Sequence, residues 1–178
     1  MTDLTPRRLP WLLMIAAVII FIDRWTKSWV ERHVPMGSGF PVVRGFLHIS
    51  HWMNDGAAFS MFAQSTSPHV VRWGLIGFSV VASLIVLVLL VRLGEQFTVT
   101  TVALAMVLAG ALGNLHDRIL YGSVVDFIAV RLGNYDFPDF NVADSSIVTG
   151  ACLLLLDAIL TRGGPVDEAS DETEAESR

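Results

Sequence analysis

Charged side chains are scarce in this chain: they make up 16% of its 178 residues, against 53% hydrophobic. Lysine occurs once, at Lys27, and cysteine once, at Cys152. A lone cysteine excludes an intrachain disulfide, and its Cys-Leu-Leu-Leu-Leu setting reads as a small buried hydrophobe. A lone lysine restricts any Ser–Lys hydrolytic pair to Lys27. Neither a Gly-x-Ser-x-Gly elbow nor a His-Glu-x-x-His helix is present, and His48 and His51 have no nearby acid to complete a zinc site. There is no basic excess to attract nucleic acid. Up to Arg162 the acidic and basic side chains balance at eleven each, so the formal net charge of −5 arises in the last sixteen residues. Residues 163–178 are expected to be a solvated, disordered acidic tail.

What the chain does have is apolar sequence gathered into long runs. These predict an α-helical membrane protein with four transmembrane helices, at about 10–30, 73–91, 97–115 and 142–160. Residues 73–91 carry no charge at all. Arg7 and Arg8 precede the first run as in a secretory signal, but Asp-Arg-Trp-Thr-Lys follows it without a small-residue cleavage site, so the run is read as a retained span. The connections 31–69 and 116–141 join spans one to two and three to four, so they lie on one side of the membrane. Alternation and β-branched residues in Phe40-Pro-Val-Val-Arg-Gly-Phe-Leu-His-Ile-Ser and at 124–130 predict a small β-containing element there. The Asn54-Asp-Gly-Ala-Ala-Phe-Ser-Met-Phe segment reads as a turn entering a short helix or re-entrant piece. The connection 92–96 is too short to hold a site. An even span count puts both termini on one side; a bare count of Arg and Lys near the span ends leans against cytoplasmic termini, although internal pairing would explain several of those residues.

The acids sort by their surroundings. Asp23 and Lys27 stand four apart, acid first, the spacing of a helical ion pair. Asp117 adjoins Arg118 past the predicted end of span three, where capping or local pairing accounts for it. Asp136 and Asp139 lie in a polar loop open to water, and Asp157 is within reach of Arg162 or the interface. Asp126 and Asp144 have only Val125, Phe127, Ile128, Val142, Ala143 and Ser145 around them. A carboxylate beside hydrocarbon costs several kcal/mol unless paired or protonated, which makes both functional candidates. Two carboxylates brought together share a proton near neutral pH, so one can serve as base toward water and the other as acid. Two separate buried acids bonded to Ser, Asn or Arg is the competing reading.

Five blocks now fall in order: Asp23-Arg-Trp-Thr-Lys27, Asn54-Asp-Gly-Ala-Ala-Phe59, Gly113-Asn-Leu-His-Asp-Arg118, Gly122-Ser-Val-Val-Asp-Phe127 and Phe140-Asn-Val-Ala-Asp144. In these blocks, and over nearly all of the chain up to about Arg162, it resembles the lipoprotein signal peptidases, the type II signal peptidases of bacterial membranes. The resemblance implies a four-span aspartic endopeptidase, residues 1–162, in the bacterial cytoplasmic membrane, with its termini in the cytoplasm and its site at the outer face. It implies Asp126 and Asp144 as the catalytic pair. Asn54, Gly56, Asn114, Arg118 and Asn141 carry over as substrate-contacting or supporting residues, with Asp23 and Lys27 a further motif that supports the site. The implied substrates are prolipoproteins whose cysteine already bears a diacylglyceryl group, cut on the amino side of that cysteine. Membrane lipid is the other implied partner; no metal, cofactor or nucleic acid is called for, and a monomer is expected. Two departures stand out. Ala109-Gly110 occupies a place where the family commonly has Gly-Gly, and His116 one that is usually apolar. A transporter would also use intramembrane carboxylates, but four spans without an inverted repeat suit alternating access poorly. A protein that binds diacylglyceryl groups without cutting is the other alternative.

Overall fold

The structure, a computed structural model, describes residues 8–56 and 68–162. The acidic tail, residues 57–59 of the Asn54 block and most of the proposed re-entrant piece lie outside the described residues. Four long helices appear in chain order, α1 (Leu9–His33), α2 (Pro68–Leu93), α3 (Val99–Leu120) and α4 (Val142–Arg162). Each is long and apolar enough to cross a membrane. Four strands lie in the connections: β1 (Gly39–Val43), β2 (Leu47–Asn54), β3 (Val124–Leu132) and β4 (Tyr135–Asp136). They form one antiparallel sheet in the order β1-β2-β3-β4, so the two long connections build a single element on one side of the bundle.

Helix α3 is the axis of the bundle. It packs against the other three helices, and half of its most apolar window is buried, against 17% for each of the others. The others turn large side chains such as Phe78, Leu155 and Leu160 outward, as helices facing lipid do. Small residues let α3 approach its neighbours closely. A Cβ on Gly110 would stand 2.3 Å from the Ala143 carbonyl oxygen, and one on Gly150 of α4 would stand 2.7 Å from that of Ala103. The residues sit where backbone meets backbone, the packing mode of helices that gain nothing hydrophobic from leaving lipid.

Two apolar clusters stack along this axis. Leu12, Leu90, Leu104, Ala105 and Leu108 fill the end remote from the sheet. Val30, Val34 and Phe127, with Ile49, Ile128 and Val142 against them, tie the top of α1 to the sheet. Between them the bundle carries buried polar groups.

Helix boundaries differ from the hydropathy reading in an informative way. Span three was expected at 97–115, yet α3 starts after Thr98, whose hydroxyl and that of Thr101 form a reciprocal capping box, and runs on to Leu120. Asn114, Asp117 and Arg118 end the apolar run but not the helix: the side chains of Asn114 and Asp117 find partners inside the protein, and Arg118 is half-buried beside them. The connection expected to begin at 116 begins at Tyr121. The other three helices likewise extend past the expected spans, α1 to His33 and α2 back to Pro68.

Candidate active site

Asp126 reaches the bundle mouth on β3, a strand buried from Val124 to Phe127. Its neighbour across the sheet is Trp52 of β2, and two residues further along β2 comes Asn54, opposite Val124. Asn54 Nδ2 donates to Asp126 Oδ2 at 2.9 Å, while Asn54 Oδ1 accepts the Gly56 N–H at 3.1 Å, which fixes the turn leaving β2.

Asp144 arrives from the opposite direction. Phe140 is bonded to β3, its carbonyl accepting from Phe127 N at 3.0 Å and Ile128 N at 2.8 Å and its own N–H donating to Ile128 O at 3.1 Å. The next residue, Asn141, is therefore held at the root of β3 just as α4 begins. Its Oδ1 accepts from Asp144 N at 2.9 Å, and Asp144 Oδ2 accepts from Asn141 N at 3.2 Å, a reciprocal cap on the first turn of α4. Its Nδ2 donates to Asp126 Oδ1 at 2.8 Å. One buried asparagine thus touches both aspartates.

The third side of the site is α3. Asn114 Nδ2 donates to Asp144 Oδ1 at 2.7 Å. One turn on, the half-buried Arg118 makes no ion pair within 4 Å with either aspartate among the described residues, but it lies close enough for its charge to act on Asp144 and Asp126.

The fourth side is α1. Asp23 and Lys27 are both fully buried and pair at 2.8 Å, as their spacing predicts. Asp23 also accepts the Ala143 N–H at 3.0 Å, so a carboxylate from α1 satisfies one of the open N–H groups at the start of α4. Gly113 makes room for it: a Cβ there would be 2.9 Å from Asp23 Oδ2. Lys27 reaches further, to Asp117 Oδ2 at 2.8 Å and Asn114 Oδ1 at 3.4 Å.

The nine residues singled out in the sequence divide cleanly. Asp126, Asp144, Asn54, Asn114 and Asn141 form the hydrogen-bonded centre, with Arg118 beside it. Asp23 and Lys27 stand behind, and Gly56 acts through Asn54. Asp117 was read as a local cap or pair; it is instead fully buried, bridging Lys27 and Arg24. A signal for it existed, since Asp117 follows Asn114 by three and shares its face if the helix continues. The apolar run had stopped, and that hid it.

Burial pushes the Asp126 carboxyl up, to about 6 from an ordinary 3.8. The negative charge of Asp144 pushes the same way, while the Asn54 and Asn141 amides and the Lys27 charge pull against it. Asp126 is 3% exposed and Asp144 half-buried, so the two acids differ in their access to water.

Residues 15–160 match the family described as signal peptidase (SPase) II. The chain belongs to the signal peptidase II family. It is a membrane protease, and its four apolar helices make it a multi-pass protein of a bacterial membrane. Among its relatives, a lipoprotein signal peptidase of Ectopseudomonas mendocina is 43% identical over 150 residues, covering 84% of this chain and 87% of that one. One of Desulforapulum autotrophicum is 37% identical over 156 residues, covering 88% and 96%. A solved bacterial membrane enzyme superposes with a TM-score of 0.73 at 30% identity, over 89% of this chain and 93% of its own. A second such structure gives 0.68 at 33% identity, over 84% and 92%.

Proposed function

We propose that this signal peptidase II cuts diacylglyceryl-modified prolipoproteins on the amino side of the lipidated cysteine, using a water held between Asp126 and Asp144. The observation that carries this reading is the Asn141 bridge: a single buried residue bonded to both aspartates, its side chain to the buried Asp126 carboxyl and its backbone N–H to the half-buried carboxyl of Asp144 in the first turn of α4. Burial raises the Asp126 carboxyl to about 6, which suits Asp126 rather than its partner to carry the proton that the reaction passes to the carbonyl oxygen. The apolar signal peptide excludes water on arrival and favours the neutral form of Asp126 further.

Water oxygen attacks the scissile carbonyl carbon as Asp144 takes a water proton and Asp126 gives its own to the carbonyl oxygen. Collapse of the resulting gem-diol breaks the C–N bond. The leaving amine takes the proton from Asp144, and one hydroxyl proton returns to Asp126, leaving a new carboxyl end, a free cysteine amine and the starting enzyme. Arg118, close to both acids, is suited to the backbone carbonyls of the substrate near the cut.

The depth of the acids fits such a substrate. Asp144 is the third residue of α4, a few ångströms below the helix start at about 1.5 Å per residue. A cysteine whose acyl chains lie in the bilayer presents its peptide bond at that boundary. Residues 1–162 are the peptidase domain and 163–178 an appendage; the termini are cytoplasmic, with the site at the outer face of the cytoplasmic membrane.

The test is incubation of the purified protein in lipid with a diacylglyceryl-modified prolipoprotein and its unlipidated counterpart, read by product mass. Only the lipidated form should be cut, and Asp126→Asn or Asp144→Asn should lower turnover by about 10³-fold or more while the protein still folds, because amide and protonated acid are nearly isosteric. Full turnover by either variant would refute the two-acid mechanism.

A further inference from the structure

We propose that Asp117 and Arg24 are positioning residues for Asp144, acting through Lys27 and the amide orientation of Asn114. The proposal rests on the reading of Asp144 as the water-activating base. Asn114 stands between a cation and an anion: its Oδ1 lies 3.4 Å from Lys27 Nζ and its Nδ2 2.7 Å from Asp144 Oδ1. In this orientation both contacts are attractive. A flipped amide would turn its NH2 toward the ammonium and its carbonyl toward the carboxylate, and both would repel. Asn141 Nδ2 donates to the same Oδ1 at 3.4 Å, so the ammonium and the Asn141 amide together hold the orientation in which Asp144 receives a donor from α3, and the ammonium is the charged member of that pair.

The position of the ammonium is set from two sides. Lys27 Nζ lies at ion-pair distance from Asp23 Oδ2 and Asp117 Oδ2, 2.8 Å from each, and donates to Asn114 Oδ1 at 3.4 Å. Asp23 and Asp117 flank the ammonium from α1 and α3. Asp117 is in turn bonded through its other oxygen to Arg24 Nη1, with His116 Nδ1 at 3.6 Å on the exposed side. Arg24, Lys27, Asp23 and Asp117 are two cations and two anions. Their charges balance, so Lys27 is fully engaged and acts on Asp144 through a neutral amide rather than by pairing with it directly. A direct pair would bind the base's lone electrons to an ammonium and leave it a poor acceptor of a water proton. Lys27 and Asn114 carry over from the sequence motifs as site residues; Arg24 and Asp117 stand in the same blocks but gain a part in the site only through this chain of contacts.

The experiment is a pair of double-mutant cycles read as kcat and KM for a lipidated prolipoprotein. Asp117→Asn and Arg24→Gln should each lower kcat by about tenfold, within the range that outer-layer partners of a reactive group command, with KM changed less than twofold. In an Asn114→Ala background, neither should lower kcat by more than about twofold further, because the residue they act through is gone. Multiplying losses, or an effect on KM alone, would overturn the relay and mark the two residues as merely structural. Should Asp117→Asn fail to fold, Arg24→Gln carries the same test, since that side chain is 22% exposed and its truncation leaves the Lys27 contacts in place. Asp126→Asn run alongside separates the two failures. If it keeps turnover, the two-acid reading falls. If it is inactive while the losses multiply, only the relay does.

Discussion

Asn141 divides its amide between two tasks, Oδ1 to the backbone of Asp144 and Nδ2 to the side chain of Asp126. Asn54 adds a second donor to Asp126, so the ionised form of this buried acid is held by two neutral amides and a distant charge rather than by a salt bridge. Removing one of them has a predictable sign. Asn54→Ala deletes a bond that favours the carboxylate, so Asp126 should hold its proton to higher pH, above the value of about 6. A ¹³C-carboxyl NMR titration of Asp126 in the two proteins reads this directly, and the alkaline limb of the pH–kcat/KM profile should move upward with it. Stability follows the same group. Its folded-state pKa is raised, so its contribution is fully present below 3.8 and is lost as pH rises through about 6. In Asn54→Ala that loss should extend to higher pH.

Elements are brought together by contacts that leave no room. Between α3 and α4 the critical position is Gly110, where a Cβ would meet the Ala143 carbonyl and Ile147 at 2.3 and 2.6 Å. Neither the backbone oxygen nor the helix it belongs to can yield without moving Asp144, the next residue. Gly110→Ala should therefore destabilise the protein by about 1–3 kcal/mol, the range of overpacked cores, and lower cleavage as well. Gly74→Ala on α2 is the control. Nothing lies within 4 Å of a Cβ there, and a mid-helix alanine is favoured over glycine by up to about 1 kcal/mol. Thermal unfolding in detergent, with cleavage rates beside it, separates the pair; equal behaviour of the two variants would contradict the close-approach argument.

At the scale of the whole molecule, connectivity puts the sheet and the four acids of the bundle mouth at one end and the α2–α3 connection, with the outer ends of α1 and α4, at the other. Cytoplasmic termini then require the sheet to face outward. In a Cys152→Ser background, a membrane-impermeant thiol reagent applied to intact spheroplasts should label Ser38→Cys, exposed beside β1, and should label Gln96→Cys only after lysis. The reverse pattern would invert the molecule. That measurement is worth making because the basic residues, Arg24, Lys27 and Arg118 among them, are held by internal acids or turned toward them and cannot report orientation as free loop charges do.

The sequence by itself determined the four spans, the two strand-bearing connections on one side, and the two acids that no neighbour in the chain compensates. Those are consequences of composition and local pattern: a run of apolar residues must enter lipid, and a carboxylate within one must be explained. Only the tertiary structure decided where α3 ends, that Asp117 lies inside it, and that Asn141 joins Asp126 to Asp144 across fifteen and three residues of chain. A buried polar group is stabilised by partners, and here the partners come from three other elements. Hydropathy averages over neighbours in sequence and so reads a polar residue as a boundary. The folded chain reads it by what it touches, and Asn114, Asp117 and Asn141 each have a partner between 15 and 93 residues away.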